Sequence, residues 1–362
     1  MALTRPAPPA GPSRSRVSTL WRRPPAGSGR VALLWQVLAV AAVLLAAGFA
    51  VPNSAGPELL AVLTVALCYV LLALGTNVVL GWSGLVTFGQ AAFFGTGAYT
   101  VALTREKEWS GQKTVLLALV VAAVLGYVSF WLLSRYTHIA FAMLTLVFGQ
   151  FLVLLVSGTH RLGATDGFGG ILRAPFFGAD TITDVQFWWL VFAVLVVAVA
   201  LYWWLYRRVL VLRMFAGRED AGRLETLGYD VRRLRATAGS IGAVFSAAGG
   251  ALFAQYTGAV SPTVLQFELS GIAVFMCVIG GMRHLWGPVI GAVLYTLTVN
   301  YWLQSSQLAT LYLGAIFVVV MLVLPSGLLS IGTLVRSRLR PGGLRPVGRR
   351  RPAGKSARGT AA

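Results

Sequence analysis

The run LLAVLTVALCYVLLALGTNVVL, residues 59–80, decides the fold. It contains no charged residue, and a helix of roughly 20 apolar residues crosses the hydrocarbon core of a bilayer. The same reading extends outward in both directions. Further apolar segments lie at 31–51, 84–104, 114–134, 139–157, 187–206, 237–257, 264–281, 286–304 and 307–325. Hydrophobic residues make up 57% of the 362-residue chain and charged residues 11%, whereas a soluble domain carries about 25% charged residues. The expected fold is therefore an all-α integral membrane protein of about ten transmembrane helices. It occupies 31–330, between basic, disordered tails at 1–30 and 331–362. The third segment (84–104) is Gly-rich. The eighth (264–281) is short and has Glu268 near its start. Either could be broken or re-entrant, as backbone buried in protein allows.

Net charge is +19, but its distribution argues against nucleic acid as a partner. The basic residues sit in the tails and in the 207–236 loop, and none interrupts an apolar span. Such flanking charge reports orientation in the membrane. With the N-terminus inside and ten crossings, only Arg105, Lys107, Lys113, Arg161 and Arg173 of the 30 Lys and Arg residues fall outside. Both termini and the 207–236 loop are then cytoplasmic. The 31–51 run is long for the core of a signal peptide and reads as an uncleaved span. Cys68 and Cys277 lie inside apolar segments and behave as small hydrophobes.

The spans hold almost no ionisable residue, whereas ion-coupled carriers need intramembrane carboxylates or histidines. Glu268 reads as an interfacial carboxylate. Gly354-Lys355-Ser356 echoes the end of a P-loop, but the required upstream glycine is Arg349. His138, His160 and His284 show no metal-ligand spacing. No catalytic residue, metal site or bound cofactor is expected. A channel, a passive facilitator and a transport subunit powered by a separate protein all remain open on these grounds.

Four motifs stand out. Gly81–Tyr99 is rich in small residues that let helices approach closely. Its Thr87, Gln90 and Tyr99 either line a solute pathway, as at the broken helices of transporters, or serve packing. In Phe141–Gln150, Thr145 and Gln150 either line a path or bond to a neighbouring helix. In the 207–236 loop, Arg218 to Gly228 reads as a short helix on which Leu224 and Leu227 share a face, with Gly228 as its stop. A partner could receive that helix in a groove. Finally, Gly242, Ser246, Gly250 and Ala254 form a small-residue stripe, and Gly287 and Gly291 a GxxxG pair.

At these residues the chain resembles the permease family of branched-chain amino acid ATP-binding-cassette (ABC) importers, of the LivM type. The resemblance covers roughly 60–330. It rests on Gly81–Thr100, Phe141–Leu146, Leu227-Gly228, the Gly280-Gly281 to Gly291-Ala292 run and Leu324-Pro325-Ser326-Gly327-Leu328. It implies a second homologous permease subunit, two cytoplasmic ATPases that use ATP and Mg, and an extracytoplasmic solute-binding protein, in a bacterial inner membrane. It also implies that Arg218, Glu219, Asp220, Leu224, Glu225, Leu227 and Gly228 form the coupling helix against an ATPase. Gln90 stands where the family often has His, Thr87 where it has Ser, and Arg223-Leu224 where it has Ala-Ala. Relatives also serve urea, short amides and organic acids.

Overall fold

The computed structural model describes residues 56–105, 109–136, 138–171, 173, 183–282, 286–299, 311 and 314. The segments expected at 31–51 and 307–325, and both tails, lie outside the described residues. The chain divides into compact units at Met1–Leu60 and Ala61–Ala362; the first turn of α1 falls in the first, and the rest of the bundle below belongs to the second.

Among the described residues its main elements are α-helices. Helix α1 spans Pro57–Asn77 and continues as a π-turn over Val78–Trp82; α2 spans Gln90–Thr104, α3 Gly111–Leu133, α4 His138–Ser157 and α5 Asp184–Tyr206. Two shorter helices follow, α6 over Val209–Glu219 and α7 over Ala221–Thr226. Then come α8 over Val231–Thr257, α9 over Phe267–Gly280 and α10 over Gly287–Leu297. Among the described residues five helices are long and apolar enough to cross a membrane: Pro57–Trp82, Gly111–Leu133, Ile139–Ser157, Asp184–Tyr206 and Val231–Thr257. Phe267–Gly280 and Gly287–Leu297 are shorter apolar helices.

The helix ends follow from local chemistry. Thr183 opens α5 with a capping box: Gln186 N–H donates to its Oγ1 at 3.4 Å, and its own N–H donates to Gln186 Oε1 at 3.0 Å. The box satisfies two of the N–H groups that a helix start leaves orphaned. Asp230 caps α8 by accepting from Arg233 N–H at 3.0 Å. Gly258 ends α8 at φ 68°.

Helix α8 is the centre of the bundle, held between α1, α2 and α3. Its small residues are the cause. A methyl added at Gly250 would overlap the Phe94 carbonyl of α2, and one at Gly97 the Ala247 carbonyl. On the α1 side, Gly75 lies against the Gly242 carbonyl and Gly249 against that of Cys68. On the α3 side, Gly239 receives the Phe130 ring. Helices in lipid gain little from hydrophobic burial against one another, so close backbone contact of this kind is what holds them. The outward faces are apolar, with Val120, Val124 and Val128 on α3 and Val147, Phe151 and Leu154 on α4 all exposed. The α9–α10 hairpin closes in the same manner as α8: Gly287 meets the Gly281 carbonyl, and Gly291 meets that of Met276.

Three expectations need correction. The segment expected at 84–104 is helical only from Gln90, and residues 83–89 are a non-helical break. Gly84, at φ 70°, carries the chain into a conformation that a helix cannot hold. The 207–236 connector contains α6, and α8 begins at Val231 rather than 237. This early start is favoured because Arg232 and Arg235 donate to the Trp131 and Ser134 carbonyls at the end of α3, at 2.7 and 3.2 Å, and basic side chains are favourable at helix C-termini. Arg218 to Gly228 is not one helix. Asp220 adopts φ −154°, ψ 95°, ends α6 and caps α7 by accepting from Arg223 N–H at 3.0 Å. Leu224 and Leu227 do not share a face, because α7 ends at Thr226: Leu224 is buried, and Leu227, past that end, is 69% exposed. Gly228, at φ 82°, does follow the helix end as expected.

Candidate functional site: an interior polar break and a surface segment

The interior site forms where α1 stops and α2 starts. The π-turn Val78–Trp82 is wholly buried, and turns of this type are frequent at functional positions. Beyond it, Ser83 Oγ donates to the Val79 carbonyl at 2.6 Å and Leu85 N–H to the same oxygen at 3.2 Å. Side chains accept three backbone N–H groups around the start of α2. Phe88 N–H donates to Thr145 Oγ1 of α4 at 3.2 Å, Gly89 N–H to Thr87 Oγ1 at 3.2 Å, and Ala91 N–H to Ser270 Oγ of α9 at 2.9 Å. Four helices, α1, α2, α4 and α9, thus meet at one irregular stretch of backbone.

Thr87 and Thr145 are buried and are used by this backbone. Thr145 takes the neighbour-bonding role of its two readings, since its hydroxyl also donates to the Ala142 carbonyl at 2.8 Å. Gln90 is fully buried in the first turn of α2 and accepts from Ser246 Oγ of α8 at 3.0 Å. Its Nε2 has no hydrogen-bond partner among the described residues. Tyr99 is buried two and a half turns further along α2, and its hydroxyl is also unpartnered among the described residues. Gln150 is half-buried on α4 and does not join the cluster at the break. The packing residues Gly242, Gly250, Gly287 and Gly291 sit at backbone crossings as expected, whereas Ser246 combines packing with the bond to Gln90.

Two residues of this interior were not singled out from sequence. Asn77 Nδ2 donates to the Tyr202 hydroxyl of α5 at 2.6 Å, while its Oδ1 is unpartnered among the described residues. Gln255, buried on α8, has neither amide atom paired there. Their only signal was an amide inside an otherwise apolar run. A buried polar group left unpaired costs about 1–3 kcal/mol, so each such amide is a place for water or solute to bond. The groups are neutral donors and acceptors. They can hold a small polar molecule, and they supply no nucleophile–base pair. Among the described residues no group of three or more His, Cys, Asp or Glu could hold a metal ion.

The second element lies at the end of the bundle where α1, α3 and α5 finish. There α6 and α7 form a two-helix segment anchored by buried Met214 and Leu224, while Glu219, Asp220, Glu225 and Leu227 are exposed. The flanking arginines lie on aromatic rings, Arg207 on Trp203 and Arg208 on Trp204, both 3.9 Å from the centroid, and Arg213 on Tyr229 at 4.7 Å. Cation–π pairs of this kind suit an interfacial belt. At the opposite end, Arg105 donates to the Gly169 carbonyl at 3.2 Å.

Helices apolar and long enough to cross a membrane thus enclose a neutral polar interior, with an exposed two-helix segment at one end. The chain belongs to the branched-chain amino acid transport system / permease component family, whose pattern matches residues 58–325. It is 31% identical over 320 residues to the high-affinity branched-chain amino acid transport system permease protein LivM of Escherichia coli K12, covering 80% of this chain and 74% of that protein. LivM of Salmonella typhimurium is likewise 31% identical, over 296 residues, with 74% of this chain and 68% of that protein covered. LivH of Escherichia coli K12, a permease protein of the same kind of system, is 25% identical over 284 residues, with 72% and 91% covered. No solved structure matches the chain.

Proposed function

We propose that this chain is the transmembrane permease subunit of an ATP-binding-cassette importer that moves branched-chain or related amino acids inward by alternating access. The observation that carries the proposal is the combination within one family member of an interior with unpaired neutral amides and a surface segment that exposes Leu227 beside Glu225. The interior suits a small polar solute, and its neutral donors and acceptors can be offered to a carboxylate and an ammonium in turn. The segment suits a protein partner, because it presents Leu227 together with Glu219, Asp220 and Glu225 to the outside while Met214 and Leu224 hold it to the bundle.

In this reading α6 and α7 rest on a cytoplasmic ATPase, which binds ATP and Mg. A second homologous permease completes the pathway, and an extracytoplasmic binding protein delivers solute. The chain lies in the bacterial cytoplasmic membrane with both termini inside. Gln90 and Tyr99 face the path, and Thr87 and Thr145 set the backbone beside it.

Gln90→Ala tests the interior half. Uptake of L-leucine by the complete importer in proteoliposomes is expected to fall about tenfold, the scale of one lost hydrogen bond in a dry site. Preference among leucine, isoleucine and valine is expected to change as well. Unchanged rate and preference would assign Gln90 to helix packing.

A further inference from the structure

Gly81 to Gly84 is where the first described span loses its helical hydrogen bonding. Carbonyls at such an end need partners from outside the helix. The Gly81 carbonyl finds one in Arg218, from the last turn of α6, whose Nη1 donates to it at 2.5 Å. The bare Cα of Gly84 makes room for this reach, since a methyl there would overlap Arg218 Cγ. A cavity of about 730 Å³ opens beside the contact. One wall is Ser83, Leu85 and Val86 of the break, and another is Glu219 and Asp220 of the surface segment. The break and the segment are thus joined by a side chain next to a space into which either could shift.

We infer that Arg218 is the positioning residue that ties the state of the broken span to the position of the surface segment. With α6 placed as here, the guanidinium holds the Gly81 carbonyl, and 83–89 stays in the described form. When a partner draws α6 away, the carbonyl hydrates in the cavity and 83–89 is released, carrying Thr87 and Gln90 with it. A charge-assisted hydrogen bond is strong enough for this role. A planar guanidinium on a long stem suits it better than an ammonium, which lacks the fixed fork of donors. The inference deepens the proposed function and rests on α6–α7 being the ATPase-docking segment.

Two measurements together test it: backbone hydrogen exchange on the full chain in nanodiscs, and solute moved per ATP hydrolysed in the complete importer. In Arg218→Ala, exchange across 83–89 is expected to rise about tenfold with α3 and the middle of α8 unchanged. Solute moved per ATP is expected to drop by a similar factor. Arg218→Lys should fall between the two. Unaltered exchange at 83–89 in Arg218→Ala would overturn the contact. Raised exchange with wild-type coupling would overturn the coupling role and leave Arg218 a simple cap. Absence of ATP-driven uptake by the wild-type importer would sink the proposed function and the coupling role together. That outcome is distinguishable because the exchange experiment needs no partner.

Discussion

Gly250→Val is expected to remove most of the folded, detergent-extractable protein. Even the first carbon of the new side chain would overlap the Phe94 carbonyl, which is rigid helix backbone with no rotamer in which to yield. Helices α2 and α8 must then separate along their crossing. Gly97 against Ala247 and Ser246 with Gln90 lie on the same crossing and would part with it. Overpacking typically costs about 1–3 kcal/mol and more where backbone blocks relaxation. In lipid little hydrophobic attraction draws the helices back together. Thermal scanning of the purified protein, followed by size-exclusion chromatography, reads the effect. Gly271→Val on α9 is the control. A methyl at Gly271 meets nothing within 4 Å, so this variant should behave as wild type.

The second large effect is expected at the surface segment. Glu225→Ala combined with Leu227→Ala should reduce solute uptake by the reconstituted importer at least tenfold while leaving yield and thermal stability unchanged. Both side chains are exposed, so neither contributes to the bundle. Interface residues that carry binding cost more than about 1 kcal/mol each when truncated, so a pair of them reaches the tenfold scale. Leu224→Ala gives the contrast. Leu224 is buried under the segment, with Cδ2 packed close to Gly217, so its truncation should loosen α6–α7 and lower stability as well as uptake. If the double variant retained wild-type uptake, these residues would not be the docking surface.

Much of the bundle was legible in the sequence because apolar runs of membrane-spanning length have few other uses. The segments at 59–80, 114–134, 139–157, 187–206 and 237–257 all contain long helices. Glycine spacing was legible for a similar reason. Gly242, Gly250, Gly287 and Gly291 lie at crossings where a side chain has no room. The surface segment was less legible. Its period suggests one helix, whereas Asp220 prefers to leave the helix and cap the next, a competition that short polar side chains often win. The helix that Asp220 opens is short, so Leu224 falls inside it and is buried while Leu227 falls past its end and is exposed. The partnering of Thr145 with Phe88, or of Ser270 with Ala91, depends on contacts between distant segments, which hydropathy does not encode. Asn77 and Gln255 were missed because one amide in an apolar run carries no spacing of its own.

On the proposed function, this chain has no power of its own and is driven through α6–α7. The direct measurement is L-leucine accumulation in proteoliposomes, comparing the purified chain alone with the chain plus its second permease, ATPases and binding protein. The chain alone should accumulate nothing under any imposed ion gradient. The full assembly should accumulate leucine only with hydrolysable ATP inside the compartment that holds the ATPases. Uphill accumulation by the chain alone, or by an assembly whose ATPases cannot hydrolyse ATP, would contradict the claim.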